Sequence, residues 1–154
     1  MNERIIHNHN ERVKPGDTVF HIGDFCFKNS AGGKAGEGMR VNAQEWVKRL
    51  NGNIIFIKGN HDKNNSCKTC IEYLVIGFGG ERIKLVHNPE HVGYEYVYNF
   101  VGHVHQNWKF MKFESKGKST VAFNVGVDVN NFRPVCYGEL MEGFTKWKLR
   151  KEAP

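Results

Sequence analysis

The chain has 154 residues, 40% hydrophobic and 25% charged, with a formal net charge of +6. That length fits one domain, residues 1–154, and that composition excludes a disordered tail. No apolar stretch is long enough to cross a membrane, and the start at Met1 lacks the apolar core of a signal peptide, so the expected location is the cytosol. A basic surface attracts anions, phosphate esters and nucleic acid among them, although a lysine-rich solvated face has the same composition.

Residues 1–13 read as a helix with Ile5 and Ile6 on one face, and Lys14 to Asp17 as a turn. Thr18 to Ile22 is a short apolar run, expected as a buried parallel strand, and it ends in Gly23-Asp24. After a glycine-rich loop from Lys28 to Arg40, Asn42 is placed to cap a helix over Ala43 to Leu50, stopped by Asn51-Gly52. Asn53 to Lys58 is a second buried strand, which completes a βαβ unit. Ile71 to Gly77 and Glu81 to Val86 predict a hairpin around Gly79-Gly80. A strand over Tyr96 to Val101 follows, then a hairpin of Trp108 to Glu114 with Thr120 to Val125. Roughly Gly138 to Trp147 closes the chain as a helix.

Polar motifs stand at or just past the ends of these runs. They are Gly23-Asp24, Gly59-Asn60-His61-Asp62, His87, Gly102-His103-Val104-His105 and Asn124-Val125-Gly126-Val127-Asp128. They offer a carboxylate, an amide oxygen and three imidazoles, with a fourth imidazole, His61, beside its own Asp62. Such a nitrogen and oxygen set suits a two-metal hydrolytic site. Ligands of open α/β sheets gather outside the carboxyl ends of the strands, where Asp24, Asn60 and His61 sit. In an extended segment His103 and His105 would point to opposite faces, so a turn is needed for both to reach one cluster.

Other features are read as structural. The four cysteines are Cys26, Cys67, Cys70 and Cys136. The Cys67 and Cys70 pair has neither the further ligands of a zinc site nor the helix start of a redox motif, so the thiols read as reduced. His21 reads as a packed histidine and His91 as a surface one. Gly32-Gly33-Lys34 lacks the spacing of a phosphate-binding loop. Trp108, Phe110, Phe113 and Phe123 read as hairpin core.

In this order the motifs resemble those of the calcineurin-like metallophosphoesterases, small bacterial and phage phosphoesterases among them, over almost the whole chain. The resemblance implies an α/β fold, a two-sheet β-sandwich flanked by helices. It implies hydrolysis of phosphate mono- or diesters by a hydroxide bridging two cations, with manganese, iron, zinc or nickel as the metals. By the same resemblance Asp24 would bridge the metals, Asn60, His87 and His103 would complete the second, and His105 would bind the first. His61 would protonate the leaving oxygen, with Asp62 holding its ring.

The pattern departs from that family at one point. An Asp-x-His motif is expected two or three dozen residues before Gly23-Asp24, yet only 22 residues precede Gly23, and His7-Asn8-His9 lies in a helical stretch. The expectation is a sheet missing its first strand, one metal held well, the other poorly, and impaired hydrolysis. Two further readings stay open: a non-catalytic metal- or phosphate-binding relative, and a nuclease drawn to nucleic acid by the basic charge.

Overall fold

Two parallel strands form first in the chain because both are short runs of β-branched and aromatic residues. In the computed structural model, residues 2–25, 42–62 and 69–152 are described. Helix α1 (Asn2–Arg12) leads to β1 (Thr18–Ile22), α2 (Ala43–Val47) and β2 (Asn53–Ile57). β1 and β2 pair in parallel from Thr18 opposite Asn53 to Ile22 opposite Ile57, so the βαβ unit is present. Asn42 caps α2 by accepting from the Gln44 N–H. The helix stops at Val47, shorter than the expected run to Leu50. Its last turn tightens into bonds three residues back, from Arg49 N–H to Trp46 and from Leu50 N–H to Val47. The Lys28 to Arg40 loop, with Gly32-Gly33-Lys34, lies outside the described residues, as do Cys26 and Cys67. Cys70 and Cys136 are free thiols.

The second sheet has the order β3-β4-β5-β7-β6, with β3 (Tyr73–Phe78), β4 (Glu81–Val86), β5 (Tyr98–Val101), β6 (Phe110–Ser115) and β7 (Lys118–Asn124). β3/β4 and β6/β7 are antiparallel hairpins, whereas β4/β5 and β5/β7 are parallel. Both hairpins turn through two residues at positive φ, Gly79-Gly80 (63° and 80°) and Lys116-Gly117 (47° and 76°). That backbone twist matches the twist of the flanking strands. Helix α3 (Tyr137–Glu152) runs further than expected, mainly past Trp147, and Glu139 in its first turn accepts from the Cys136 N–H and secures the start.

Alternation along the central strands divides the core. Ile22 and Ile57 from the first sheet meet Ile83, Leu85, Phe100, Phe110 and Phe123 from the second, and Leu140 and Phe144 from α3. The opposite face buries Val86, Val92, Val101 and Ala122, with Tyr94, Trp108 and Phe113 packed around them. The architecture is therefore α/β: two sheets sharing one apolar cluster, with helices against them. Among the described residues no helix is long and apolar enough to cross a membrane.

The parallel connections have a functional consequence. β1, β2, β4, β5 and β7 bring their carboxyl ends to one side, and each of the polar motifs starts there. Phe123 is fully buried and touches the rings of Tyr98, Phe100, Phe110 and Phe144. Phe123→Ala is expected to cost about 3–5 kcal/mol in urea unfolding; a cost below about 1 kcal/mol would contradict this packing.

Candidate metal centre

The strand ends meet so closely that side chains are excluded between them. A Cβ on Gly59 would lie 2.1 Å from Asp24 Oδ1, and one on Gly23 would lie 2.3 Å from His87 Nδ1. Gly23 also has φ of 81°, which only glycine adopts at little cost. Asp24, His103 and His105 have positive φ as well (55°, 66° and 47°), which costs energy in residues with a Cβ. The Gly102–His105 segment is thus turned and not extended, although the turn does not bring His105 to the same group as His103.

Four donor atoms converge from four strand ends. The buried His87 places Nδ1 2.9 Å from the Ile22 carbonyl. A carbonyl only accepts, so Nδ1 carries the proton and, in a neutral ring, Nε2 presents a lone pair. That lone pair faces Asn60 Oδ1 at 3.0 Å and Asp24 Oδ2 at 3.1 Å. His103 Nδ1 completes the group, 3.0 Å from Asn60 Oδ1 and 3.3 Å from His87 Nε2. One ligand atom each from Asp24, His87 and His103 lies within 4.8 Å of the others. Two oxygens with no proton to give, aimed at a nitrogen lone pair, repel one another without a cation. The set therefore fits a divalent ion, with the amide of Asn60 as a fourth ligand.

The neighbouring residues hold this set in place. Asp62 is buried, and its carboxylate accepts from the N–H groups of Asp24 (2.8 Å), Gly59 (2.7 Å) and Phe25 (3.1 Å). These bonds lock the ends of β1 and β2 together. The exposed His61 donates its backbone N–H to Asp24 Oδ1 at 2.8 Å. His105 stands outside the converging group, its Nδ1 2.9 Å from Asp128 Oδ2. Asn124 is fully buried, and its amide donates to the carbonyls of His105 and Trp108 (2.6 and 2.8 Å) while its oxygen accepts from Gly126 (2.9 Å). Sequence reading assigned no task to Asn124 or Asp128. The only signal was their place in the Asn124–Asp128 motif.

The remaining histidines divide simply. His9 is buried and its Nε2 bonds the Asn51 carbonyl at 2.8 Å, which docks α1 on the end of α2. His7 pairs loosely with Glu11, and His91 is exposed. His21 packs edge-on to Phe25 and beside Phe56. Part of the residue reaches solvent, but its Nδ1 does not and has no hydrogen-bond partner among the described residues. Burial pushes this imidazole down to about 4, opposed by the Asp62 carboxylate.

The His21 shift has a definite sign. Its folded pKa lies below the unfolded value, so the unfolded chain binds the extra proton. Stability contributed by the neutral ring is present above pH about 6.5 and falls as pH drops towards about 4. The upper bound is about 3 kcal/mol, reduced by partial exposure. Urea unfolding of His21→Phe should show a shallower acid loss than wild type. Identical slopes would contradict the burial of Nδ1. A second expectation concerns Asp128→Asn, which should leave binding of one manganese ion at the Asp24 group within about threefold, since His105 is not one of its ligands; loss of that ion would place Asp128 and His105 in the group.

No family model matches the chain. The uncharacterized protein MJ1445 of Methanocaldococcus jannaschii is 32% identical over 156 residues, spanning 97% of this chain and 78% of that protein. Among solved structures, the protein of unknown function AQ665 from Aquifex aeolicus superposes with a TM-score of 0.62 at 22% identity, covering 92% of this chain and 83% of that one, a likeness of fold. A predicted phosphoesterase from Streptococcus pneumoniae TIGR4 superposes with a TM-score of 0.43 at 19% identity, over 81% of this chain and 65% of that one, too loosely to bear on function. The identity and coverage shared with the archaeal protein settle kinship: the chain belongs to the family of Methanocaldococcus jannaschii MJ1445.

Proposed function

We propose that this protein is a calcineurin-like, metal-dependent phosphoesterase that hydrolyses phosphate mono- or diesters. The observation that carries the reading is the convergence of Asp24, Asn60, His87 and His103 at the carboxyl ends of parallel strands. These four residues would hold a divalent cation, with manganese, iron, zinc or nickel suited to the nitrogen and oxygen donors. Such an ion, when bound, supplies an acidified water and neutralises phosphoryl charge.

The chain's own groups account for the rest. His87 is oriented by the Ile22 carbonyl, so its Nε2 stays aimed at the site. Asp24 is fixed through both carboxylate oxygens, Oδ1 by the His61 N–H and Oδ2 near His87. His61 is exposed beside Asp24, where an imidazole can meet a phosphate and give its proton to the leaving oxygen. His105, turned by Asp128 at Nδ1, keeps Nε2 for a phosphoryl oxygen or a second cation.

One observation favours a second reading. Among the described residues, a second cation would find Asp24 and His105 alone from the family pattern, and His105 stands apart from the converging group. Two protein ligands hold an ion weakly. A non-catalytic metal- and phosphate-binding protein is therefore the competing reading.

Hydrolysis of a generic aryl phosphate ester with added manganese separates the two. The phosphoesterase reading expects turnover that chelation abolishes. His61→Ala should lower it by about 10²- to 10⁴-fold while leaving the bound manganese unchanged. Equal turnover in wild type and His61→Ala removes His61 from the role of acid. Bound manganese without turnover selects the non-catalytic reading.

A further inference from the structure

A second polar feature lies outside the metal centre and has no role in the reading above. An open cleft of about 520 Å³ is lined by Arg4, Asn8, Glu11 and Arg12 of α1 and by Asn131 and Arg133. It adjoins a smaller hollow of about 80 Å³ that shares Asn131 and Arg133 and adds Lys109 and the carboxylate of Glu139. Three guanidinium groups face one lining carboxylate in the larger cleft.

The arginines are not equivalent. Arg12 is committed to the fold, paired with Glu139 and so tying α1 to α3. Cys136 N–H and Arg12 hold the Glu139 carboxyl below its ordinary range. Arg4 is exposed and has no carboxylate partner among the described residues; its guanidinium lies over the Phe132 ring at 5.5 Å. Stacking occupies the flat face and leaves the N–H edge available. Arg133 is half exposed and makes a looser ion pair with the same Glu139, at 3.5 Å, which a phosphate can displace. Planar guanidinium forks match phosphate oxygens in pairs.

The cleft is built by strained backbone. Asn131 and Phe132 follow one another at φ of 56° and 55°. Their carbonyls accept from the Asn8 amide (3.4 and 3.0 Å), which clamps the loop to α1. Of the six non-glycine residues at positive φ among those described, three are at the metal centre, two are here, and Lys116 is a hairpin turn. Such strain gathers where structure is held for function.

The same loop joins the two places. Asp128 touches His105 at one end, and Asn131 lines the cleft three residues later. Three residues span at most about 11 Å. A strand of duplex nucleic acid carries a charge about every 3.4 Å of its axis, and an extended single strand spaces its phosphates further apart, so the backbone at Asp128 and Asn131 is separated by about three phosphates at most. A substrate with one isolated phosphate would use none of it.

We infer that the cleft binds the flanking phosphates of a phosphodiester-linked single strand, held by Arg4 and Arg133 while another phosphate of that strand sits at the metal centre. The inference rests on the phosphoesterase reading for the orientation of the strand. The formal charge of +6 assists the encounter but does not place the strand.

The test is fluorescence anisotropy of a fluorescein-labelled hexathymidylate in chelator, across a salt series. Wild type should bind with a negative salt slope. Arg4→Gln with Arg133→Gln should weaken binding about tenfold and make the slope shallower by about 1.4, two contacts at about 0.7 each. The paired Lys116→Gln and Lys118→Gln change removes the same charge at the β6–β7 turn and should weaken binding less than about twofold. If the double arginine variant does not fold, Arg4→Gln alone should lower the slope by about 0.7, since its guanidinium stacks only on Phe132. Absent binding by wild type, or an equal loss in the lysine variant, overturns the assignment. Because chelator removes turnover, the two readings fail separately. Aryl ester hydrolysis with no strand binding overturns the cleft and spares the phosphoesterase reading. Strand binding through the two arginines without any turnover supports the cleft and counts against that reading.

Discussion

A single hydrogen bond between the two sheets governs the geometry of the centre. His87 leaves the end of β4 and gives its Nδ1 proton to the carbonyl of Ile22, the last residue of β1. The bond is buried, so neither partner has water as an alternative. Its direction decides the tautomer of the neutral ring, in which Nε2 presents a lone pair to the oxygens of Asn60 and Asp24. Without the Ile22 contact the ring could turn or take the other tautomer, and the donor set would disperse. Glycine at 23 is demanded by the same contact, since any Cβ there would occupy the ring's place.

The rest of the fold serves to bring the strand ends to that bond. Apolar side chains of both sheets and α3 share one cluster, which fixes how the sheets meet. Asp62 then binds three N–H groups across the β1 and β2 ends, and Asn124 binds two carbonyls and an N–H across the β5 and β7 ends. Both side chains are buried with their polar atoms in use, which rigidifies without leaving an unpaired group. The positive φ of Asp24, His103 and His105 is held by this frame. His21 is the exception, a buried ring nitrogen with no partner among the described residues, and its lowered pKa predicts a frame that loses stability in acid.

Much of this was legible in the residues. The βαβ unit, both hairpins and the strand ends follow from apolar runs bounded by glycine-containing turns, because period and turn chemistry are local properties. The candidates Asp24, Asn60, His87 and His103 were legible as residues just past strands. Other features were not. The tightened end of α2 depends on backbone bonds that leave no mark in composition. The bonds from the Asp24 and Phe25 N–H groups to Asp62 join segments far apart in sequence, a long-range choice. So is the separation of His105 from His103, two residues apart and turned to different partners, Asp128 and Asn60. The arginine cleft is assembled from α1 and a loop more than a hundred residues away, and no spacing rule joins them.

The account stands or falls on whether a cation occupies the point that His87 Nε2 addresses. Anomalous diffraction from crystals grown with manganese would locate it. The account predicts one peak per chain within coordination reach, roughly 2.0–2.3 Å, of Asp24 Oδ2, Asn60 Oδ1, His87 Nε2 and His103 Nδ1. A peak elsewhere, or no peak at these four atoms, would contradict it.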